Sequence, residues 1–223
     1  APRTSVVRLA PALLNELSKT GDPDRGLSNI EQVLHAFGAV ESFADLLSSH
    51  TGFLELLVTL CARSQSFSET LIRDPALLDW MVSSGVLRTR RTAEEVELVL
   101  RAAVAGLAKD RQIRRTIHTY RKRETLRVGL QYLLKLADCD QTSDQLTAVA
   151  DAVTRLLYKR VTTEVYEQKG QPLRSDGASS GFAVVALGKH GSGEMNFGSD
   201  LDMIFVYDED GETEKGRPNV TTF

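Results

Sequence analysis

The sequence predicts a mainly α-helical chain that turns to mixed α/β structure near residue 180. Three observations carry this. Apolar residues recur at helical spacing, behind repeated helix-start signals, through about residue 170. A stretch rich in Gly, Ser and Pro then runs to Gly181. After it come two continuous apolar runs of strand length, Phe182–Leu187 and Met203–Tyr207. The expected organisation is therefore a helical domain over 1–170, a linker over 171–181, and an α/β segment over 182–223.

The helical part is signposted by its caps. Asp22-Pro23 and Asp74-Pro75 each place a capping carboxylate before a proline suited to the first helical turn. Thr92-Ala93-Glu94-Glu95 is a capping box, in which hydroxyl and carboxylate satisfy free helix-end amides. Val96, Val99, Leu100, Ala103, Val104 and Leu107 follow as one apolar stripe. Leu146, Val149, Val153, Leu156, Leu157, Val161 and Val165 form another, on a helix expected to begin after Ser143. Stripes of this kind bury against other helices, so a bundle of seven or eight is expected. No fixed-period repeat points to a solenoid. The apolar runs at 182–187 and 203–207 show no alternation, which predicts strands covered on both faces.

Bulk properties narrow the function classes. Hydrophobic residues make up 42% and charged residues 26% of 223, with a net charge of −3, a soluble globular balance. Nothing in that balance marks a nucleic-acid or membrane-surface binder. No apolar run approaches the ~20 residues of a membrane span. Cys61 and Cys139 stand far apart in apolar helical patterns, without zinc-ligand spacing, and read as buried reduced thiols of a cytoplasmic protein. The opening Ala1-Pro2-Arg3 carries neither Met nor signal sequence, and with the end at Phe223 it reads as an excised segment. The sequon Asn219-Val220-Thr221 has no meaning in such a compartment. Residues 109–127 hold eight cationic side chains (Lys109, Arg111, Arg114, Arg115, Arg121, Lys122, Arg123 and Arg127) against Asp110 and Glu124. This reads first as a solvated helix face, and second as a surface for phosphates or an acidic partner. Ile113, Ile117 and Tyr120 fall at helical spacing and read as core, as does Trp80 beside Met81. His35, His50 and His118 are isolated and read as structural.

The chemistry lies between the two strands. Gly188-Lys189-His190-Gly191-Ser192-Gly193 forms a Gly-rich turn, and Gly198-Ser199-Asp200-Leu201-Asp202 leads into the second strand. On a strand, Asp200 and Asp202 point to one face and Leu201 to the other. Two like charges at the edge of a strand repel, and a divalent cation reverses that cost. Carboxylate oxygens in this number suit Mg²⁺ or Mn²⁺, completed by substrate phosphates. Glycines let backbone amides approach a phosphate, with Lys189, Ser192 and Ser199 as further donors.

Strand, Gly-rich turn, short helix and a strand opening Asp-x-Asp is the layout of the nucleotidyltransferase superfamily, which includes DNA polymerase β. Gly188 precedes Asp200 by twelve residues, similar to that superfamily's spacing. Lys189 stands where the superfamily usually has serine. The longer string from Val185 to Tyr207 resembles the signature of the glutamine synthetase adenylyltransferase and adenylyl-removing family, in which a lysine follows the first glycine and Ser-Asp-Leu-Asp closes the motif. His190 replaces that family's usual leucine. Ile72-Arg73-Asp74-Pro75-Ala76-Leu77-Leu78-Asp79 and Arg121-Lys122-Arg123-Glu124-Thr125-Leu126-Arg127 resemble the family more loosely.

The resemblance implies a helical bundle followed by the first strands of an α/β, polymerase-β-like nucleotidyltransferase domain, truncated. It implies Asp200 and Asp202 as catalytic metal ligands, with Mg²⁺ or Mn²⁺, and ATP as substrate. Gly188, Lys189, Gly191, Ser192 and Ser199 would face the nucleotide's phosphates. The activity implied is transfer of AMP to a tyrosine of glutamine synthetase, and the segment Arg8–Leu14 with Asp22-Pro23-Asp24 favours the adenylylating half. The alternatives are the phosphorolytic, adenylyl-removing half, or a helical module docking glutamine synthetase or a PII-type regulator. The family's site needs a third carboxylate from a later strand, and residues after Tyr207 read as a polar turn. Glu194 to Glu214 holds eight acidic residues and no basic one. The chain by itself is expected to be catalytically inert.

Overall fold

The computed structural model describes residues 4–49, 51–83 and 85–219. Ala1-Pro2-Arg3, His50, Phe223 and the last two positions of the Asn219 sequon lie outside the described residues. The chain divides into two compact units, residues 1–90 with 119–142, and residues 91–118 with 143–223.

The first unit is wholly helical. α1 (Thr4–Ser18), α2 (Pro23–Phe37), α3 (Val40–Ser49), α4 (Thr51–Arg63), α5 (Gln65–Arg73) and α6 (Ala76–Ser83) follow one another, with a 3₁₀ turn at Val86–Arg88. The C-terminal part of α8 (Asp110–Leu133) completes it. The boundaries follow from caps. Asp22 accepts the Arg25 amide at 3.0 Å, and Ser64 accepts the Phe67 amide at 3.3 Å. Ile30, Val33, Phe43, Leu47, Leu57, Leu60, Leu71, Leu78, Met81, Leu126 and Leu130 form one buried core. At Gly129 on α8 a Cβ would lie 2.1 Å from the Phe67 ring, so only glycine admits that ring. Trp80 carries the Arg123 guanidinium 5.0 Å from its ring centre.

A charged cluster is buried in the same unit. Arg127 is fully buried, its Nε donating to Glu124 Oε2 at 2.9 Å and its Nη1 to Gln131 Oε1 at 3.2 Å. The same guanidinium donates to the Thr89 carbonyl at 2.5 Å, and Gln131 Nε2 donates to the Leu87 carbonyl at 2.9 Å. A charge out of water needs this degree of partnering. Arg127 and Arg123 therefore drop out of the expected cationic face, leaving Lys109, Arg111, Arg114, Arg115, Arg121 and Lys122 exposed.

The second unit holds α7 (Ala93–Val104), the start of α8, most of α9 (Cys139–Lys169) and the strands. The capping box forms as expected: Glu95 N donates to Thr92 Oγ1 at 3.3 Å, and Thr92 N to Glu95 Oε2 at 2.9 Å. Val96, Leu100, Ile113, Ile117, Leu146, Val149 and Leu156 are buried. Around them run the ion pairs Glu94–Arg155 at 3.1 Å, Glu97–Lys159 at 3.0 Å and Asp110–Arg160 at 3.4 Å. The Lys159 ammonium, hydrogen-bonded to Glu97, holds that carboxyl below its usual range. α9 begins five residues earlier than expected, because the Asp138 side chain accepts the Gln141 amide at 2.8 Å and starts the helix there. Nine α-helices thus lie between Thr4 and Lys169 among the described residues, against the seven or eight expected, because residues 40–83 divide into four helices of 8 to 13 residues.

β1 (Phe182–Leu187) and β2 (Asp202–Tyr207) pair antiparallel, from Phe182 opposite Tyr207 to Leu187 opposite Asp202. Between them α10 (Gly188–Gly191) is a single helical turn. Residues 171–181 are hydrogen-bonded, with Leu173 bridged to Ser179 and Pro172 to Thr213. The expected double coverage of the strands is not met within the described residues. Phe205 is 66% exposed, and Val185, Leu187, Ile204 and Val206 are also exposed. Val185, Leu187, Ile204 and Val206 stand on the ribbon face turned away from α9, and on the side toward α9 Phe205 is covered only in part. Cys61 is buried, as expected, its thiol pushed up to about 12 by burial. Cys139 is exposed at the first turn of α9, contrary to expectation, because it precedes the apolar stripe. No described helix is long and apolar enough to cross a membrane.

Two stability changes are expected. Glu124→Ala, which strands the buried Arg127, should cost about 3–5 kcal/mol in urea denaturation. Thr92→Ala, which removes the cap of α7, should cost about 1 kcal/mol in the same measurement.

Candidate functional site

The candidate site is built on the loop joining β1 to β2. β1 ends at Leu187, and the chain reverses at once into α10 through Gly188, whose φ of +53° is a left-handed conformation. The turn closes with Ser192 N donating to the Gly188 carbonyl at 3.0 Å and Glu194 N to the Lys189 carbonyl at 2.8 Å. A Cβ on Gly191 would sit 2.5 Å from the Ala186 carbonyl oxygen, so the turn folds tightly back on β1.

Asp202 opens β2 directly opposite Leu187. A Cβ on Gly188 would meet Asp202 Oδ2 at 2.9 Å. The first glycine of the turn and the second aspartate of Asp-x-Asp are thus in contact, across fourteen residues of sequence. Asp200 lies two residues before β2, exposed, so strand alternation governs Asp202 but does not reach Asp200. Lys189 and Ser192 are exposed on the turn, and Ser192 Oγ donates to Glu194 Oε2 at 3.2 Å. Ser199 is occupied by Asn196: its hydroxyl accepts the Asn196 amide and donates to Asn196 Oδ1, both at 2.9 Å. The short helix expected after the Gly-rich turn is formed instead by the turn itself, and residues 194–201 are non-helical.

The acidic run separates into two kinds of carboxylate. Asp208 accepts the Gly181 amide at 2.7 Å, Glu209 the Ser175 amide at 2.8 Å, Asp210 the Tyr207 hydroxyl at 2.9 Å and Glu214 the Gln171 amide at 3.2 Å. These hold loops together. Asp200 and Asp202 have no hydrogen bond or ion pair among the described residues. Both are hard oxygen donors, and Asp202 lies against the glycine turn. No cluster of three or more His, Cys, Asp or Glu suited to a metal occurs among the described residues.

His190 turns inward from the turn and is buried, its Nε2 2.8 Å from Asp151 Oδ1 on α9. Two further bonds fasten the loop and strand to that helix. Ser143 Oγ donates to the Met195 carbonyl at 3.0 Å, and the Tyr158 hydroxyl to the Phe182 carbonyl at 3.1 Å. Sequence reasoning missed these three α9 residues. The available signal was Asp151 itself, a lone carboxylate between Ala150 and Ala152.

The opposite face of the ribbon carries no charge. Val161, Val165, Phe182, Val184, Met203 and Phe205 help line an apolar groove of about 700 Å³ against α9. Leu201 and Met203 point into it, on the side away from Asp202.

The model of the glutamate-ammonia ligase adenylyltransferase family matches residues 54–222. Bifunctional glutamine synthetase adenylyltransferase/adenylyl-removing enzymes are similar over most of the chain. That of Pseudomonas aeruginosa is 30% identical over 208 residues, covering 92% of this chain and 21% of the relative. That of Pseudomonas putida is 29% identical, covering 93% and 22%, and that of Shewanella woodyi 25% identical, covering 97% and 24%. The chain spans between a fifth and a quarter of the length of these relatives. With the family model matched across the Gly188 turn and the Asp200–Asp202 pair, the chain belongs to the glutamate-ammonia ligase adenylyltransferase family.

Proposed function

We propose that this chain carries the opening of an adenylyl-transfer site, which moves AMP from ATP to a tyrosine hydroxyl of glutamine synthetase. The observation that carries the reading is the contact of Asp202 with the Gly188 turn, two residues after a second carboxylate without a partner among the described residues. Family membership and the names of the relatives support the reaction class and the partner.

Asp200 and Asp202 would hold Mg²⁺ or Mn²⁺, and the residues fit. Both offer free hard oxygen donors, in the number Mg²⁺ takes when phosphates complete its shell. Bound there, the cation supplies charge neutralisation of the triphosphate and Lewis-acid polarisation at phosphorus. Gly188 keeps the space beside Asp202 clear of side chain, so a phosphate oxygen can approach the carboxylate and the turn's backbone together. Lys189, exposed on the turn, adds a positive charge for the phosphate tail. Ser192 lies near enough to offer a hydroxyl once it leaves Glu194. Ser199 acts at one remove, fixing Asn196 and so the approach to Asp200.

The test is Mn²⁺-ATP binding by titration calorimetry, followed by labelled AMP transfer to glutamine synthetase by the full-length polypeptide. Asp200→Asn and Asp202→Asn should each weaken Mn²⁺-ATP binding about tenfold or more, with little change in melting temperature, and abolish AMP incorporation. Unchanged binding in both variants would overturn the metal assignment. Phosphate-dependent AMP release without incorporation would reverse the direction of the reaction. Gly188→Ala should cost about 1–2 kcal/mol from its left-handed backbone. It should also lower Mn²⁺-ATP affinity, because the new methyl falls against Asp202.

A further inference from the structure

The Gly188–Gly191 turn poses a mechanical problem that its own residues do not solve. A phosphate-binding turn works only if its amides are held in place before the ligand arrives. Gly188, Gly191 and Gly193 give the segment wide backbone freedom, and glycine loses more entropy on ordering than any other residue. Gly188, Lys189, Gly191 and Ser192 are all exposed, so packing does not hold them. His190 alone of the turn is buried, with a side-chain exposure of 2%.

Its one bond reaches α9. An ionised carboxylate only accepts, so at 2.8 Å the His190 Nε2 carries the hydrogen and donates to Asp151 Oδ1. Nδ1 is buried with no partner among the described residues. The ring is thus oriented through Nε2 only. Asp151 is braced in turn, its other oxygen 3.7 Å from Arg155 Nη2, while Arg155 Nη1 lies 3.1 Å from Glu94 of α7. A line of charge-assisted contacts runs from α7 through α9 to the turn, and such bonds are among the stronger ones available.

We propose that His190 is a positioning residue for the nucleotide's phosphates. Acting through Asp151, it locks the glycine turn in its ligand-ready shape while Lys189 and Ser192 face outward from either side of it. The proposal rests on the nucleotide reading above for its ligand, but the locking of the turn is measurable without any ligand.

Two measurements on the chain separate these. Amide hydrogen exchange would follow Ser192 and Glu194, whose N–H groups close the turn onto Gly188 and Lys189. Mn²⁺-ATP titration would follow affinity. His190→Leu keeps an apolar anchor but loses the bond, and should speed exchange at both amides and weaken Mn²⁺-ATP binding, each about tenfold. Asp151→Ala should do the same, and the double variant should do no more than either single one. His190→Gln, whose amide can still donate to Asp151, should restore both to within about threefold. Exchange at amides within α9 and in the first unit should stay unchanged, which sets a positioning role apart from a general loss of fold.

Unaltered exchange and affinity in His190→Leu would overturn the proposal. So would faster exchange with undiminished affinity, or a His190→Gln variant as impaired as the leucine. Failure of the unaltered chain to bind Mn²⁺-ATP would instead overturn the nucleotide reading, and the exchange data would still decide whether His190 locks the turn.

Discussion

The candidate site depends on one helix. α9 runs 31 residues, and Ser143, Asp151 and Tyr158 stand along one side of it at intervals of about two turns. Each reaches a different piece of the α/β segment: the loop at Met195, the turn at His190, and the start of β1 at Phe182. Two strands by themselves are at best marginal in water. Fastened at three places to a rod, and stacked through Phe182 on Tyr158 at 6.0 Å between ring centres, they hold a defined register. The turn inherits its place from the register, because Leu187 lies opposite Asp202 and Gly188 follows at once.

Electrostatics then sorts the residues by task. Most acids after Tyr207 are occupied with backbone amides and hydroxyls, which satisfies loop groups that would otherwise be orphaned. Asp200, Asp202 and Glu212 have side chains without a partner among the described residues, and of these Asp202 lies against the glycine turn. On the cationic side a similar sorting occurs. Arg127 is committed to a buried structural cluster and Arg160 to Asp110, whereas Lys109, Arg111, Arg114 and Arg115 remain in solvent at the start of α8. Charge counted along the sequence overstates the charge available at a surface.

Local chemistry was the legible part. The capping box at Thr92, the cap at Asp22 and the two strands follow from residue types over three to six positions, and the structure forms them as read. The Gly188–Asp202 approach was also within reach, since strand–turn–strand spacing leaves few ways to bring the glycine back to the carboxylate. Depth and distant partners were not. An apolar run states that a strand wants cover but not which residues supply it, so the exposure of Ile204 and Phe205 could not be read. Arg127 looked like its neighbours on α8, but its guanidinium bonds the Thr89 carbonyl, 38 residues away, and Gln131, itself bonded to the Leu87 carbonyl. The partner of His190 could not be read, because Asp151 is 39 residues away.

The division into units has a consequence for how the chain is made. Neither unit is one continuous stretch: the chain passes between them after Arg90, after His118 and after Thr142. A ribosome releases residues in order, so the first unit waits for Thr119–Thr142 while Arg91–His118, which belong elsewhere, have already emerged. No single cut separates the units: a cut after Arg90 or after Thr142 splits one of them, and a cut after His118 splits both. Residues 1–142 hold the whole of the first unit but carry 91–118 of the second, and residues 91–223 hold the whole of the second but carry 119–142 of the first.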